Sequence, residues 1–119
     1  MTIANGIIIA LLIIFLVQKL IPVKGVKQIT TAQLKNEMMD KTKQYIDVRT
    51  TVEFKSFHIP GFKNMPLHQL HQNMGQLSRD KEVVVICQSG MRSSKASKIL
   101  KKAGYKNITN IKGGVSAWR

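Results

Sequence analysis

The chain reads as an α/β domain built on a parallel sheet and preceded by one apolar N-terminal helix. Three observations predict this. From about residue 26 onward, short β-branched segments alternate with segments of helical periodicity, a pattern that forces strands to pair in parallel through helical crossovers. Val83–Ile86 reads VVVI, apolar on both faces, as a central strand of a parallel sheet requires. Ile7–Val17 is an unbroken run of eleven apolar residues with no polar face, which a helix packed on a soluble core would show.

The length of 119 residues allows one domain of ordinary size. A hydrophobic fraction of 44% is too high for a disordered chain. The single cysteine excludes an intrachain disulfide and argues against a zinc cluster, so no metal site is expected. The formal charge of +13 is compatible with nucleic acid, an anionic membrane surface or an anionic substrate. Few aromatics are available to stack on bases and no recognition motif is present, so nucleic acid is not an expected partner.

Residues 1–21 are expected to form a transmembrane anchor. The apolar segment extends from Ile3 to Ile21, nineteen residues, and a helix of that length spans roughly 29 Å, about the hydrocarbon thickness of a bilayer. A cleaved signal peptide needs a basic start and a small-x-small site after the run; no Lys or Arg precedes it, and QKLIPVKGVK follows. Lys19, Lys24 and Lys27 lie just after the segment. The positive-inside rule therefore places the remainder in the cytoplasm, where a lone cysteine stays reduced. Residues 22–27, with Pro22 and Gly25, read as a linker, and residues 28–119 as the folded domain.

Within that domain, Val26–Ile29 is a short strand. Thr30 to Gln33 has the form of a capping box, opening a helix that carries Leu34 and Met38 through Met39. Gln44–Val48 is a strand, and Thr50 or Thr51 caps a short helix with Val52 and Phe54. Ile59-Pro60-Gly61 is a turn. Leu67–Met74 reads as helix. After the VVVI strand, Ser93–Ala103 is a helix with Ala96, Ile99, Leu100 and Ala103 on one face and Gly104 as its stop. Ile108–Ile111 is a last strand, and Val115–Trp118 a final helical turn.

The chemistry-bearing segment is VVVICQSGMRSS. Cys87 falls at the carboxyl end of the buried strand, where open parallel sheets bind ligands. The loop before the next helix contains Gly90, and its consecutive amides can converge on one anion. The helix N-terminus and Arg92 add positive charge. All three favour thiolate over thiol, and the thiolate is the nucleophile. A plain buried cysteine is the competing reading.

Cys87 to Arg92, with four residues between, resembles the active-site loop of the rhodanese family. YIDVRTTVEFKSFHIPGFKNMPL resembles that family's first signature, and NIKGGVSAW its second; together they cover about residues 26 to 119. The resemblance implies a small five-stranded parallel sheet flanked by helices. It also implies a sulfurtransferase without cofactor, in which Cys87 accepts a sulfane sulfur as a persulfide. The donor would be a small anion such as thiosulfate or a persulfide, and the acceptor a thiol, a protein thiol or cyanide. The amides of Gln88, Ser89, Gly90, Met91 and Arg92 would cradle the outer sulfur, and Arg92 would hold the donor. Asp47, Arg49 and Ser93 would support the loop, the first two as a structural ion pair at a strand end. Phe57 and Phe62 stand where the family favours small residues and would bulk up a loop near the site mouth.

A phosphatase on the same fold carries five residues between Cys and Arg, one more than here, and a non-catalytic module of the family typically lacks the cysteine. His68 and His71 read as surface histidines, His58 as a turn residue with a structural hydrogen bond, and Lys95, Lys98, Lys101 and Lys102 as a solvated helix face.

Overall fold

The structure, a computed structural model, describes residues 2–20 and 23–119. Its helices are α1 (Ile3–Leu20), α2 (Thr31–Glu37), α3 (Thr51–Ser56), α4 (Leu70–Asn73) and α5 (Met91–Lys102). Its strands are β1 (Lys27–Ile29), β2 (Gln44–Asp47), β3 (Lys63–Asn64), β4 (Val83–Ile86) and β5 (Ile108–Ile111), joined in one five-stranded sheet of order β1-β5-β4-β2-β3. Every pairing is parallel.

The VVVI strand lies at the centre of the sheet, with β5 on one side and β2 on the other. All four of its side chains are fully buried. Successive side chains face opposite ways. Val83, Val85 and Cys87 point toward α4 and α5, among Val48, Leu70, Ala96, Leu100 and Tyr105. Val84 and Ile86 point toward α2 and the C-terminal turn, among Leu34, Ile59, Phe62, Ile111 and Val115. One apolar strand thus supplies both cores, and the same alternation aims Cys87 beneath α5.

The Thr30–Gln33 capping box forms as the spacing predicts. Thr30 accepts from the Gln33 amide at 3.2 Å while the Gln33 side chain accepts from the Thr30 amide at 2.8 Å. Thr50, rather than Thr51, caps α3 in the same reciprocal way with Glu53.

Several boundaries differ from the sequence expectation. β3 is an unexpected strand of two residues beside Ile46 and Asp47, too short to show any alternation. α2 stops at Glu37, and Met39 is left 86% exposed. The segment Leu67–Met74 is not one helix: the four residues of α4 lie between 3-10 turns at Leu67–Gln69 and Met74–Gln76. α5 begins at Met91, two residues ahead of Ser93. The hydroxyls of Ser93 and Ser94 do not cap it; they donate back to the Gly90 carbonyl at 3.1 and 2.9 Å. Phe62 does not line the site mouth as its place in the sequence suggests. It lies 5% exposed in the α2-side core, edge-on to Tyr45 with ring centroids 5.5 Å apart, rather than at the site mouth.

α1 bears the exposed apolar side chains Ile7 to Val17. Among the described residues no helix is long and apolar enough to cross a membrane. Ile21, the expected end of the span, and Pro22, in the expected linker, lie outside the described residues.

Candidate active site

The strand order places a topological switch between β2 and β4. The chain leaves β2 toward β3 at one edge and leaves β4 in the opposite direction, toward β5. The two following loops therefore diverge, and a crevice opens at the carboxyl ends of the strands. Cys87 enters it from β4, and Asp47, Val48 and Arg49 from β2.

Cys87 is 1% exposed. Its sulfur accepts the Gly90 amide at 2.9 Å. The loop reverses at Gly90, whose φ of 118° is in the left-handed region that favours glycine. The thiol also donates to the Ser93 hydroxyl at 3.3 Å, and that hydroxyl donates to the Gly90 carbonyl. Ser93 therefore relays one hydrogen. If the sulfur becomes anionic, the Ser93 hydrogen can turn toward it, and the Gly90 carbonyl keeps its bonds from the Ser94 amide and hydroxyl. Met91 and Arg92 occupy the first turn of α5, where backbone amides have no intrahelical acceptor.

The Arg92 guanidinium makes no hydrogen bond to the sulfur. It forms a two-pronged pair with Glu53 of α3, at 2.6 and 2.9 Å. Hydrogen bonds from Arg92 pull the Glu53 carboxyl from 4.5 to about 2, and the same pairing pushes Arg92 upward. Because the folded-state value lies below the unfolded one, the pair's contribution is complete above about pH 4.5 and is lost as pH falls toward 2. Glu53→Gln is expected to melt lower than the wild type at pH 7 and nearly level with it near pH 2. Thermal melts across that range read the narrowing gap.

Asp47 and Arg49 form a buried pair. The Arg49 side chain contacts the carboxylate through Nε at 3.0 Å and a terminal nitrogen at 2.8 Å. Its terminal nitrogens also reach Gln88 Oε1 at 3.2 Å and the Phe57 carbonyl at 2.6 Å. The ion pair at the strand end is therefore also a brace on the cysteine loop.

The structure adds supports that the sequence reading did not single out. Glu53 is one; its place in the Thr50-x-x-Glu53 capping box is the signal that marks it. The C-terminal 3-10 turn Gly114–Ala117 is another. The Val115 amide donates to the Cys87 carbonyl at 2.9 Å and the Ser116 amide to the Gln88 carbonyl at 3.0 Å. The approach requires Gly114: a Cβ there would lie 2.3 Å from the Cys87 carbonyl oxygen, and its φ is 60°. Gly114→Ala is expected to lower the melting temperature by roughly 5–15 °C, since an alanine held left-handed costs about 1–2 kcal/mol before any clash. Calorimetry together with an activity assay checks whether the cysteine loop is disturbed in parallel.

Two grooves flank the loop. One of about 410 Å³ is lined by Arg49, Val52, Glu53, Phe57, Gln88 and Val115. The other, about 440 Å³, is lined by Val48, Leu67, His68, His71, Arg92 and Lys95, among others. The Glu53–Arg92 pair has one partner in each. Phe57 is 51% exposed at the rim of the first. His58 stacks on Phe54 at 3.8 Å and shares a hydrogen bond with its carbonyl. Among the described residues no cluster of three or more His, Cys, Asp or Glu could hold a metal.

Comparison with known proteins gives a consistent family. The profile described as a rhodanese-like domain matches residues 30–119. The uncharacterized protein YqhL of Bacillus subtilis is 44% identical over 75 residues, 63% of this chain and 60% of YqhL; the match thus spans less than two thirds of that relative. The thiosulfate sulfurtransferase GlpE of Shewanella oneidensis is 32% identical over 92 residues, 77% of this chain and 91% of GlpE. The crystal structure of a rhodanese-like domain protein from Staphylococcus aureus superposes with a TM-score of 0.73 at 33% identity, covering 79% of this chain and 92% of that one.

Proposed function

Since the chain belongs to the rhodanese-like domain family, we propose that it is a sulfurtransferase working through a persulfide on Cys87. The observation that carries this reading is the Gly90 amide aimed at the Cys87 sulfur at 2.9 Å, beside the unpaired amides that open α5. With thiosulfate as donor, the Cys87 thiolate attacks the outer sulfur, the S–S bond of the donor breaks, and sulfite leaves with the bonding pair. The new persulfide anion rests against the amides of Gln88 to Arg92. An acceptor thiolate or cyanide then attacks the outer sulfur, and the Cys87 thiolate departs. Oxidation state is conserved overall, so no cofactor is needed. In this scheme Arg92 leaves Glu53 to hold the anionic donor, while Asp47, Arg49 and Ser93 keep the loop in shape. The name of GlpE supports thiosulfate as a donor class.

Four residues separate Cys87 from Arg92, a nest sized for one sulfur atom rather than a phosphate. Incubation with thiosulfate is expected to add the mass of one sulfur to the intact chain, removable by cyanide, with no hydrolysis of aryl phosphates. Robust phosphatase activity without a sulfur adduct would reverse the assignment.

α1 exposes a continuous apolar surface from Ile7 to Val17, and eighteen residues span roughly 27 Å against a hydrocarbon core of about 30 Å. In this reading the apolar stretch of the sequence from residue 3 to 21 anchors the domain, and Lys19, Lys24 and Lys27 hold that domain on the cytoplasmic side. Protease added to intact cells should spare the domain and should digest it once the membrane is opened. Digestion in intact cells reverses the orientation.

A further inference from the structure

The chain enters the domain at the end of the sheet opposite Cys87. All strands run parallel, so their amino ends share one side of the domain, whereas the cysteine loop leaves the carboxyl end of β4. β1 begins at Lys27, and the residues just before it are fixed to the domain. Val23 packs against the core that includes Leu100 and Tyr105. The Val26 amide donates to the Val23 carbonyl at 3.2 Å, and Lys101 of α5 donates to the Gly25 carbonyl at 3.4 Å. Leu20, the last residue of α1, and Val23 are three residues apart, which limits their Cα separation to about 11 Å whatever path the chain takes. The same end of the domain is cationic. Lys24, Lys101 and Lys102 are exposed there, and Lys81 and Lys106 are exposed just before β4 and β5. Arg79 joins them by donating to the Ala103 carbonyl at the end of α5. Acidic side chains do not offset this charge. Glu37 and Glu82 pair with Lys27 and Lys43, Asp40 is followed by Lys41, Asp80 lies between Arg79 and Lys81, and α5 carries no acidic residue.

We propose that this amino-end face docks on anionic phospholipid headgroups and holds the domain end-on against the bilayer. The inference rests on α1 as the attachment and adds how the domain sits once attached. The short connection keeps the face close to the lipid, so contacts too weak to recruit a free protein suffice to orient a tethered one. Lysine and arginine side chains near an anionic leaflet are attracted to it, and the attraction falls off within a Debye length. Nucleic acid is the other polyanion such a face could take, but among the described residues it offers no exposed aromatic ring on which bases could stack. The twelve residues of α5 span roughly 18 Å from the lipid-facing end to the cysteine loop. The docked domain therefore turns the loop around Cys87 away from the bilayer.

The test uses the full chain in lipid nanodiscs of phosphatidylcholine, alone or mixed with phosphatidylglycerol. An amine-reactive acylating reagent footprints the lysines, and peptide mass spectrometry reads each rate. Comparing the two bilayers cancels whatever shielding the tether itself provides. Lys81, Lys101, Lys102 and Lys106 should react roughly fivefold more slowly in the anionic discs, the scale of one lysine held at an anionic surface. Lys55, Lys95 and Lys112, toward the carboxyl end of the sheet, should react equally in both. Added salt should erase the difference. In a Lys101→Gln/Lys102→Gln/Lys106→Gln variant, which alters only exposed side chains, Lys24 and Lys81 should lose most of their protection. Equal rates in the two bilayers, or equal slowing at both ends of the domain, would overturn the proposal. So would protection of this face by an oligonucleotide but not by the anionic bilayer. Retention in neutral discs through an alkaline wash reads the attachment separately. If the chain is not retained, the attachment fails, and pelleting with anionic but not neutral vesicles, weakened in the variant, still decides the face; the absence of that pelleting would refute it.

Discussion

Replacing Cys87 by serine should abolish sulfur loading and lower transfer from thiosulfate to cyanide at least ~10³-fold, the scale of removing a covalent nucleophile. The fold should survive, because the serine hydroxyl fits the same buried space and inherits two partners. The Gly90 amide and the Ser93 hydroxyl both lie within hydrogen-bond reach of the atom at that position. The loss is therefore chemical: a serine hydroxyl at neutral pH has neither the anionic fraction nor the polarisability of a thiolate. Intact mass after thiosulfate treatment and thiocyanate formation with cyanide give the two readings, and circular dichroism confirms the fold. Turnover in the serine variant near the wild-type rate would remove Cys87 from the mechanism.

Asp47→Ala should be the most destabilising of the polar substitutions. Asp47 is fully buried and Arg49 is 3% exposed. Deleting the carboxylate strands a buried guanidinium, and breaking a buried pair from one side costs about 3–5 kcal/mol. The remaining contacts, to Gln88 and the Phe57 carbonyl, do not neutralise the charge. Urea unfolding should show the midpoint falling with little change in slope, and transfer activity should fall further than the unfolded fraction explains, because Arg49 braces the cysteine loop through Gln88. Asp47→Ala/Arg49→Met should recover part of the stability by removing the stranded charge and leave the activity low. A double variant no more stable than Asp47→Ala would show that the charge is not the source of the loss.

The contrast between what was legible in the sequence and what was not has physical causes. Val83–Ile86 was legible because a strand buried on both faces must be apolar throughout, and Cys87 because it follows directly where ligands gather. The cap at Thr30 was legible because a capping box spans only four residues, whereas the choice between Thr50 and Thr51 was settled only by the fold. β3 was not, because two residues hold no period. The helix α5 starts at Met91, two residues before Ser93, because the chain turns at Gly90 without a side-chain cap, and such a start leaves no cap residue in the sequence to mark it. The Arg92–Glu53 pair and the contact of Gly114 with the Cys87 carbonyl join residues far apart in the chain, and local spacing carries no record of such meetings. His68 and His71 read as surface residues and are exposed, but the wall they form with Lys95 belongs to the tertiary fold.

The sheet order has a consequence for synthesis. β5 lies between β1 and β4, so among the described residues β1 pairs only with β5, the last of the five strands in chain order. Thr31, at the start of α2, likewise donates to the Ala117 carbonyl. On a translating ribosome, β2, β3 and β4 can pair once they emerge, but β1 must wait, unpartnered, until β5 has cleared the exit tunnel. The cysteine loop waits as well, since the turn that seats its carbonyls follows β5. A nascent chain arrested just before Lys112 would carry the nucleophile without its seat.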